Sequence, residues 1–397
     1  MSFLSREVFD YRRRLLNGLM DQAGLDGFVV FEADFFQFFS NFHVDVQTWE
    51  RPIALVLPRN GEPVAIMNAL STGHVGFAKE RGSLWIEDVR IYCEFPLDPR
   101  DTRTSATFLD LLIDAVADCG LSDARLGMDS RSLWPGDIAA SFPSASFRAM
   151  VPEVRALRWV KHDEEISIMK ELCALSDWVQ ELYFEEVRPG RLIHELDYFI
   201  AKRLFEKAAE LYPGENLEYR FYTLSGPSSA SPHGDGGQVG KRLERGHGLV
   251  NIIIPRLNGV TIENERTLFV GEPSDLQKRA YDAAMRANRA AVEQMVAGNE
   301  VQAIDAAARR VICDAGFHEN LLHRTGHGMG LVGHEFPADM AYNTRPLLEN
   351  EVYSAEPGIF IKGVGGFRVD DTVVIGTNAP MVLTSTPRAL EDVILCV

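Results

Sequence analysis

The chain has 397 residues, 46% of them hydrophobic and 24% charged, with a formal net charge of −17. That length suits two domains and supplies enough apolar side chains to fill a core in each. A surface this acidic repels phosphate backbones and argues against nucleic acid as a partner, and no apolar run reaches the ~18–20 residues of a membrane span. It favours instead a small cationic or zwitterionic molecule. The five cysteines, Cys93, Cys119, Cys173, Cys313 and Cys396, are scattered, with no CxxC pair. Reduced thiols in a cytoplasm are expected, not a disulfide framework.

In chain order, "MSFLSREVFDYRRRLLNGLMDQAGLDG" reads as an amphipathic helix without a signal-peptide core. "GFVVFE" (27–32), "PIALVLP" (52–58) and "EPVAIMN" (62–68) read as strands, the last two joined at the Asn60-Gly61 turn. "DFFQFFSNF" supplies Phe35, Phe36, Phe38 and Phe39 as core or interface aromatics. A helix follows over "DTRTSATFLDLLIDAVADCGL", then strands at "ARLGMD" and "ASFRAM". Strands mixed with helices define an α/β (α+β) layer domain, assigned to residues 1–154. From Val151 a linker becomes a long helix ending near Val187, with the domain boundary at about residue 155, and "LIHELDYFIAKRLFEKAAEL" is a second helix. Strand-rich segments, a helical pair at about 274–315 and more strands complete a second domain, 155–397.

Four motifs in that second domain carry chemistry. "SGPSSASPHGDGG" presents His233 in a loop, where it is either a site residue or a plain surface imidazole. "IENERTLF" places Glu263 and Glu265 two apart on one strand face, where carboxylates repel unless they meet water, a cation or a metal. "TGHGMGLVGHE" sets His327 and His334 among glycines, where backbone can approach a ligand. "AEPG" and "GGFRVDDTV" bring Glu356 and Asp370 onto neighbouring strands.

This ordered set resembles the creatinase/methionine aminopeptidase family, the pita-bread fold, across essentially the whole chain. The resemblance implies an N-terminal creatinase-like domain and a C-terminal catalytic domain. In the metallopeptidase branch five ligands, Asp, Asp, His, Glu and Glu, hold the metal. Their positions here are Ile252, Glu263, His327, Glu356 and Asp370. Isoleucine offers no donor, and two carboxylates have exchanged lengths, so a hard dinuclear site loses much of its affinity.

The departures are similar to creatinase, the metal-free branch that hydrolyses an amidine C–N bond. Under that resemblance no metal or other cofactor is expected. His233 is the general base and acid, and Glu265 and Glu356 clamp a substrate guanidinium or amidinium. Glu263, His327, His334 and Asp370 line the substrate pocket. Trp49 and Arg51, in "TWERPIALVL", reach the partner chain's site in a homodimer, Arg51 taking the substrate carboxylate. A structural salt bridge for Arg51 and interface packing for Trp49 are the simpler readings. The first expectation is therefore a metal-independent hydrolase of a small zwitterionic amidine or guanidino compound, creatine-like or ectoine-like. The alternatives are a metal-dependent Xaa-Pro-type aminopeptidase or dipeptidase with an atypical site, a single ion on Glu263, His327, Glu356 and Asp370, and a binding module without turnover. "GHGMG" and "EPG" favour the peptidase; Ile252 opposes it.

Overall fold

The computed structural model describes residues 4–44, 46–94, 107–130, 138–234, 239–335 and 340–397. Internal contacts divide the chain into a unit ending at Arg158 and a unit of Trp159–Val397. No helix among the described residues is long and apolar enough to cross a membrane.

The first unit runs α1 (Arg6–Ala23), β1 (Gly27–Val30), α2 (Ala33–Ser40), β2 (Ala54–Pro58), β3 (Val64–Asn68), α3 (Thr72–Arg81), β4 (Asp88–Tyr92), α4 (Phe108–Asp118), β5 (Arg125–Met128), α5 (Ile138–Ser141), β6 (Ser146–Ala149) and α6 (Val151–Ala156). Its six strands form one mixed sheet in the order β4-β3-β2-β1-β5-β6. β1, β2 and β3 are buried at every position, so they read as continuous apolar runs instead of alternating. β2 and β3 pair antiparallel across the expected Asn60-Gly61 turn, with Ala54 opposite Ile66. The phenylalanine-rich stretch is α2, with Phe35, Phe36, Phe38 and Phe39 all buried. The helix expected over 101–121 is seen as α4, held by a Thr107–Asp110 capping box; residues 101–106 lie outside the described residues. β4 (DVRIY) alternates polar and apolar but is too short at five residues for the alternation to stand out, and α3 carries no clear apolar stripe. The segment expected as linker is partly helical, as α6.

The second unit runs α7 (Asp163–Glu186), α8 (Ile193–Leu211), β7 (Leu217–Ser225), β8 (Gly248–Leu257), β9 (Val260–Thr261), β10 (Asn264–Val270), α9 (Asp275–Glu293), α10 (Val301–Asp314), β11 (Val352–Ala355), β12 (Gly358–Ile361), β13 (Gly365–Arg368), β14 (Asp371–Val374), β15 (Met381–Val382), α11 (Leu390–Val393) and β16 (Ile394–Leu395). One sheet has the order β16-β10-β8-β7, with β9 on β8; β11-β14-β15 and β12-β13 form two smaller ones. β8 turns at Asn258 and Gly259, both with positive φ (49° and 92°), the pair that an Asn-Gly hairpin turn demands. Behind the sheets lies a core of Leu, Ile, Val and Ala from α7–α10, with Tyr183, Tyr281 and Phe269 among its largest members. The sheet is thus fixed from behind, and the polar strand ends gather on the other side.

Candidate active site

Two strand junctions build the site. β10 begins at Asn264, so Glu263 and Glu265 straddle its first residue, and both are buried. β14 begins at Asp371, directly after Asp370, and β11 ends at Ala355, directly before Glu356. Since Ala355 pairs with Asp371, Glu356 and Asp370 meet at one end of the β11–β14 ladder. Glu265 and Asp370 then exchange backbone hydrogen bonds, N to O at 3.3 Å and 3.0 Å. Asn288 on α9 braces both junctions, its Nδ2 donating to the carbonyls of Ala355 (2.8 Å) and Val369 (3.4 Å).

His327 enters from the glycine-rich loop. Its backbone N–H donates to Ser354 Oγ (3.0 Å), and its Nδ1 lies 3.1 Å from the Gly328 carbonyl. A carbonyl only accepts, so Nδ1 carries the proton and Nε2 faces the site. Nε2 is 3.4 Å from Glu263 Oε2 and 3.4 Å from Glu356 Oε1. The His334 ring stacks on it at 3.7 Å between centroids, 18° from parallel. His334 Nδ1 accepts from Arg324 Nη2 at 3.2 Å, which leaves the His334 proton on Nε2 when the ring is neutral.

The remaining cation is one the sequence did not single out. Arg368, at the end of β13 and buried, forms an ion pair through Nε with Glu265 and lies 3.5 Å through Nη1 from Glu356 Oε2. Its only signal was position: it sits two residues before Asp370, on a strand, and so belongs to the same face. Its backbone is locked to β10, N to Thr267 Oγ1 at 2.8 Å and Thr267 Oγ1 to its carbonyl at 2.9 Å.

The electrostatics follow from this crowding. Burial pushes Asp370 well above the usual carboxylate range, and Glu265, Glu356 and Glu263 push it further. Burial also raises Glu265, to about 8, against the pull of Arg368. Burial would raise Glu356 too, but the bond and charge of His327 and the charge of Arg368 outweigh it and hold that group at about 2. Burial opposes protonation of His327, yet Glu263 and Glu356 win and raise it. His334 is lowered by burial and by the neighbouring His327.

A divalent cation fits this constellation. Ligand atoms of Glu263, Glu356 and Asp370 lie within 4.8 Å of one another, and so do those of Glu263, His327 and His334. Both carboxylate oxygens of Asp370 are buried without a hydrogen-bond partner. An unpartnered buried carboxylate is costly, and an oxygen-loving cation answers that cost. With its Nδ1 engaged by Arg324, His334 is better suited to donate a hydrogen bond than to ligate. Ile252 does not fit as a donor: it is buried in β8, directly opposite Glu265 and also opposite Tyr222 on β7.

The other expected site residues have each their own surroundings. His233 is exposed on the turn after the 3-10 segment Gly226–Ala230, and among the described residues no hydrogen bond or ion pair joins it to Glu265 or Glu356. In the N-terminal unit Trp49 is 71% exposed. Arg51 pairs there with Glu50 and Glu94, each at 2.7 Å.

The sequence pattern of metallopeptidase family M24 matches residues 167–377, and that of the creatinase/prolidase N-terminal domain matches residues 12–160. The chain belongs to metallopeptidase family M24. It is 32% identical to the Xaa-Pro dipeptidase of Pyrococcus furiosus over 244 residues, 62% of this chain and 68% of that protein. It is 28% identical to the probable dipeptidase PepE of Mycobacterium bovis, over 97% of this chain and 96% of that one. The structure of dipeptidase PepE from Mycobacterium ulcerans superposes with a TM-score of 0.80 at 27% identity, covering 98% of each chain.

These relatives overturn the expectation of a metal-independent hydrolase acting on the non-peptide C–N bond of an amidine or guanidino compound. They bear the names of peptidases, within a metallopeptidase family. The geometry supplies a physical reason for the error. Glu265 and Glu356 do grip a guanidinium, but it is the chain's own Arg368 and not a substrate.

Proposed function

We propose that this chain is a metal-dependent peptidase of short substrates, of the Xaa-Pro dipeptidase or aminopeptidase type, with an atypical metal site. The observation that carries it is the Asp370 carboxylate, buried without a partner and grouped with Glu263 and Glu356. The names of the relatives support the same class. A dipeptide is itself a small zwitterion, which suits so acidic a protein.

In this reading Glu263, His327, Glu356 and Asp370 hold the ion. Once bound, it polarises the scissile carbonyl and lowers the pKa of a water. The Gly328 carbonyl keeps the His327 tautomer that turns a lone pair inward. His334, its proton placed on Nε2 by Arg324, donates to the substrate's carbonyl or carboxylate. Arg368 stays charged and keeps Glu265 and Glu356 apart from each other's repulsion. His233 is proposed to deliver the proton to the departing nitrogen as water adds to the carbonyl carbon and the C–N bond breaks. The working state is proposed to be a cytoplasmic homodimer, with Trp49 and Arg51 of each chain serving the other chain's site.

The test is to strip the protein with chelator, reload it separately with manganese, cobalt and zinc, and follow a panel of Xaa-Pro and other dipeptides by mass spectrometry. Cleavage that disappears with chelation and returns with metal is expected. Metal-loaded protein that cleaves no dipeptide or longer Xaa-Pro peptide would remove the peptidase reading.

A further inference from the structure

We propose that the site is built for a single divalent cation, and that the Glu265–Arg368 ion pair, walled by Ile252, takes the place of a second one. The inference rests on the metal-dependent reading and adds the number of ions and the residues that set it.

Three observations carry it. The first is the wall. Ile252 and Glu265 are direct partners in the β8–β10 ladder, so their side chains lie side by side on one face. A donor at Ile252 would complete a second nest of ligands beside Glu265; an aliphatic group closes it. The second is that Glu265 is already engaged. Both groups of clustered ligand atoms contain Glu263, and neither contains Glu265, which is committed to Arg368. The third is Glu356, which faces two ways. Its Oε1 lies 3.4 Å from His327 Nε2, on the side of the free ligand atoms, and its Oε2 lies 3.5 Å from Arg368 Nη1. A carboxylate so placed meets a metal on one oxygen and a guanidinium on the other.

Charge makes the arrangement self-consistent. Glu263, Glu265, Glu356 and Asp370 are all buried, and Arg368 is the permanent cation among them. One divalent ion takes up most of the negative excess that Arg368 leaves. A second ion beside Glu265 would sit against a buried guanidinium, and like charges at such range repel strongly. The Arg368 side chain is buried and held by ion pairs to Glu265 and Glu356, and its backbone is tied to Thr267.

The experiment is metal counting with manganese alone. Chelator-stripped full-length protein is titrated with Mn2+ by calorimetry, the bound metal is measured by elemental analysis, and the ion is examined by electron paramagnetic resonance. The expected result is saturation at one ion per chain, with a six-line spectrum free of spin coupling. An Ile252→Asp, Arg368→Gln double variant, which restores a donor and removes the guanidinium, is expected to bind about one ion more. Two ions per wild-type chain, or a coupled spectrum, would overturn this inference and leave the metal-dependent reading standing. No bound ion at millimolar manganese would overturn both. Should the double variant fail to fold, the wild-type count alone decides.

Discussion

Glu265 and Asp370 come from strands more than a hundred residues apart, yet each donates its backbone N–H to the other's carbonyl. Through this bridge the two halves of the site share one rigid floor. Arg266, whose side chain is fully buried, seals it: Nη1 donates to the carbonyls of Glu265 (2.8 Å) and Asp370 (2.6 Å), and Nη2 donates to Asp371 (2.8 Å). Arg266, the residue after Glu265, thus fixes the backbone of both carboxylates, and Asp371, the residue after Asp370, holds Arg266 in place.

Replacing Arg266 by Met removes one member of a buried ionic group, takes the second hydrogen bond from each of those carbonyls and leaves Asp371 without its guanidinium partner on β10. A loss of about 3–5 kcal/mol of stability is expected, in line with breaking buried pairs elsewhere. Urea denaturation of metal-free protein reads it. Arg266→Lys, which keeps the charge but not the fork, is expected to fall between the two.

Asp370→Asn separates the site's function from its stability. Without metal the Asp370 carboxyl is held protonated by burial and its carboxylate neighbours, so the neutral Asn in its place is expected to leave the metal-free protein about equally stable. Metal affinity is expected to fall by more than the roughly 10–100-fold that loss of a supporting hydrogen bond costs. Thermal shift with and without manganese checks both at once, since the stabilisation by bound metal follows its affinity. An unchanged shift would remove Asp370 from the ligand set.

Gly326 gives the "GHGMG" stretch a packing reason independent of metal. A Cβ there would overlap the backbone carbonyl of Ser354, the residue that holds the His327 backbone. Gly330 is likewise pressed against the Lys161 side chain and Glu335. Gly326→Ala is expected to push the His327 segment off β11, weakening metal binding and lowering stability together. Full metal affinity in that variant would show that the loop tolerates the displacement.

The N-terminal unit carries a separate pH dependence. Asp129 accepts from the N–H groups of Phe31 and Glu32, each at 2.9 Å, but burial outweighs those bonds and raises its pKa from 3.8 to about 7. Between those values the folded state holds a proton that the unfolded chain has lost. This group's contribution is therefore full below about pH 4 and is lost as pH rises toward about 7. Asp129→Asn is expected to lower stability overall, by leaving one N–H unmet, and to flatten that slope. Denaturation midpoints at pH 5 and pH 8 measure it.

Much of this was legible in the sequence. Apolar runs bounded by turn residues marked β1, β2, β3, β5 and β6, and the Asn60-Gly61 pair marked a hairpin, because strand burial and turn geometry are local properties. Glu263, Glu265, His327, His334, Glu356 and Asp370 were all singled out as site residues, and the pita-bread resemblance is borne out by the family match. The alternation of β4 was too short to stand out, and α3 has no clear apolar stripe.

What the sequence could not decide was which charge answers which. Glu265 and Glu356 read as a clamp awaiting a cationic substrate, since nothing in a linear pattern says that Arg368 returns across the sheet to fill it. Ile252 read as the loss of a metal, since its partner across the ladder is set by register and not by spacing. Residue types and local periods fix which groups carry charge and which elements carry them. Pairing among buried charges depends on distances of a few ångströms between strands far apart in the chain, and only the folded sheet supplies those.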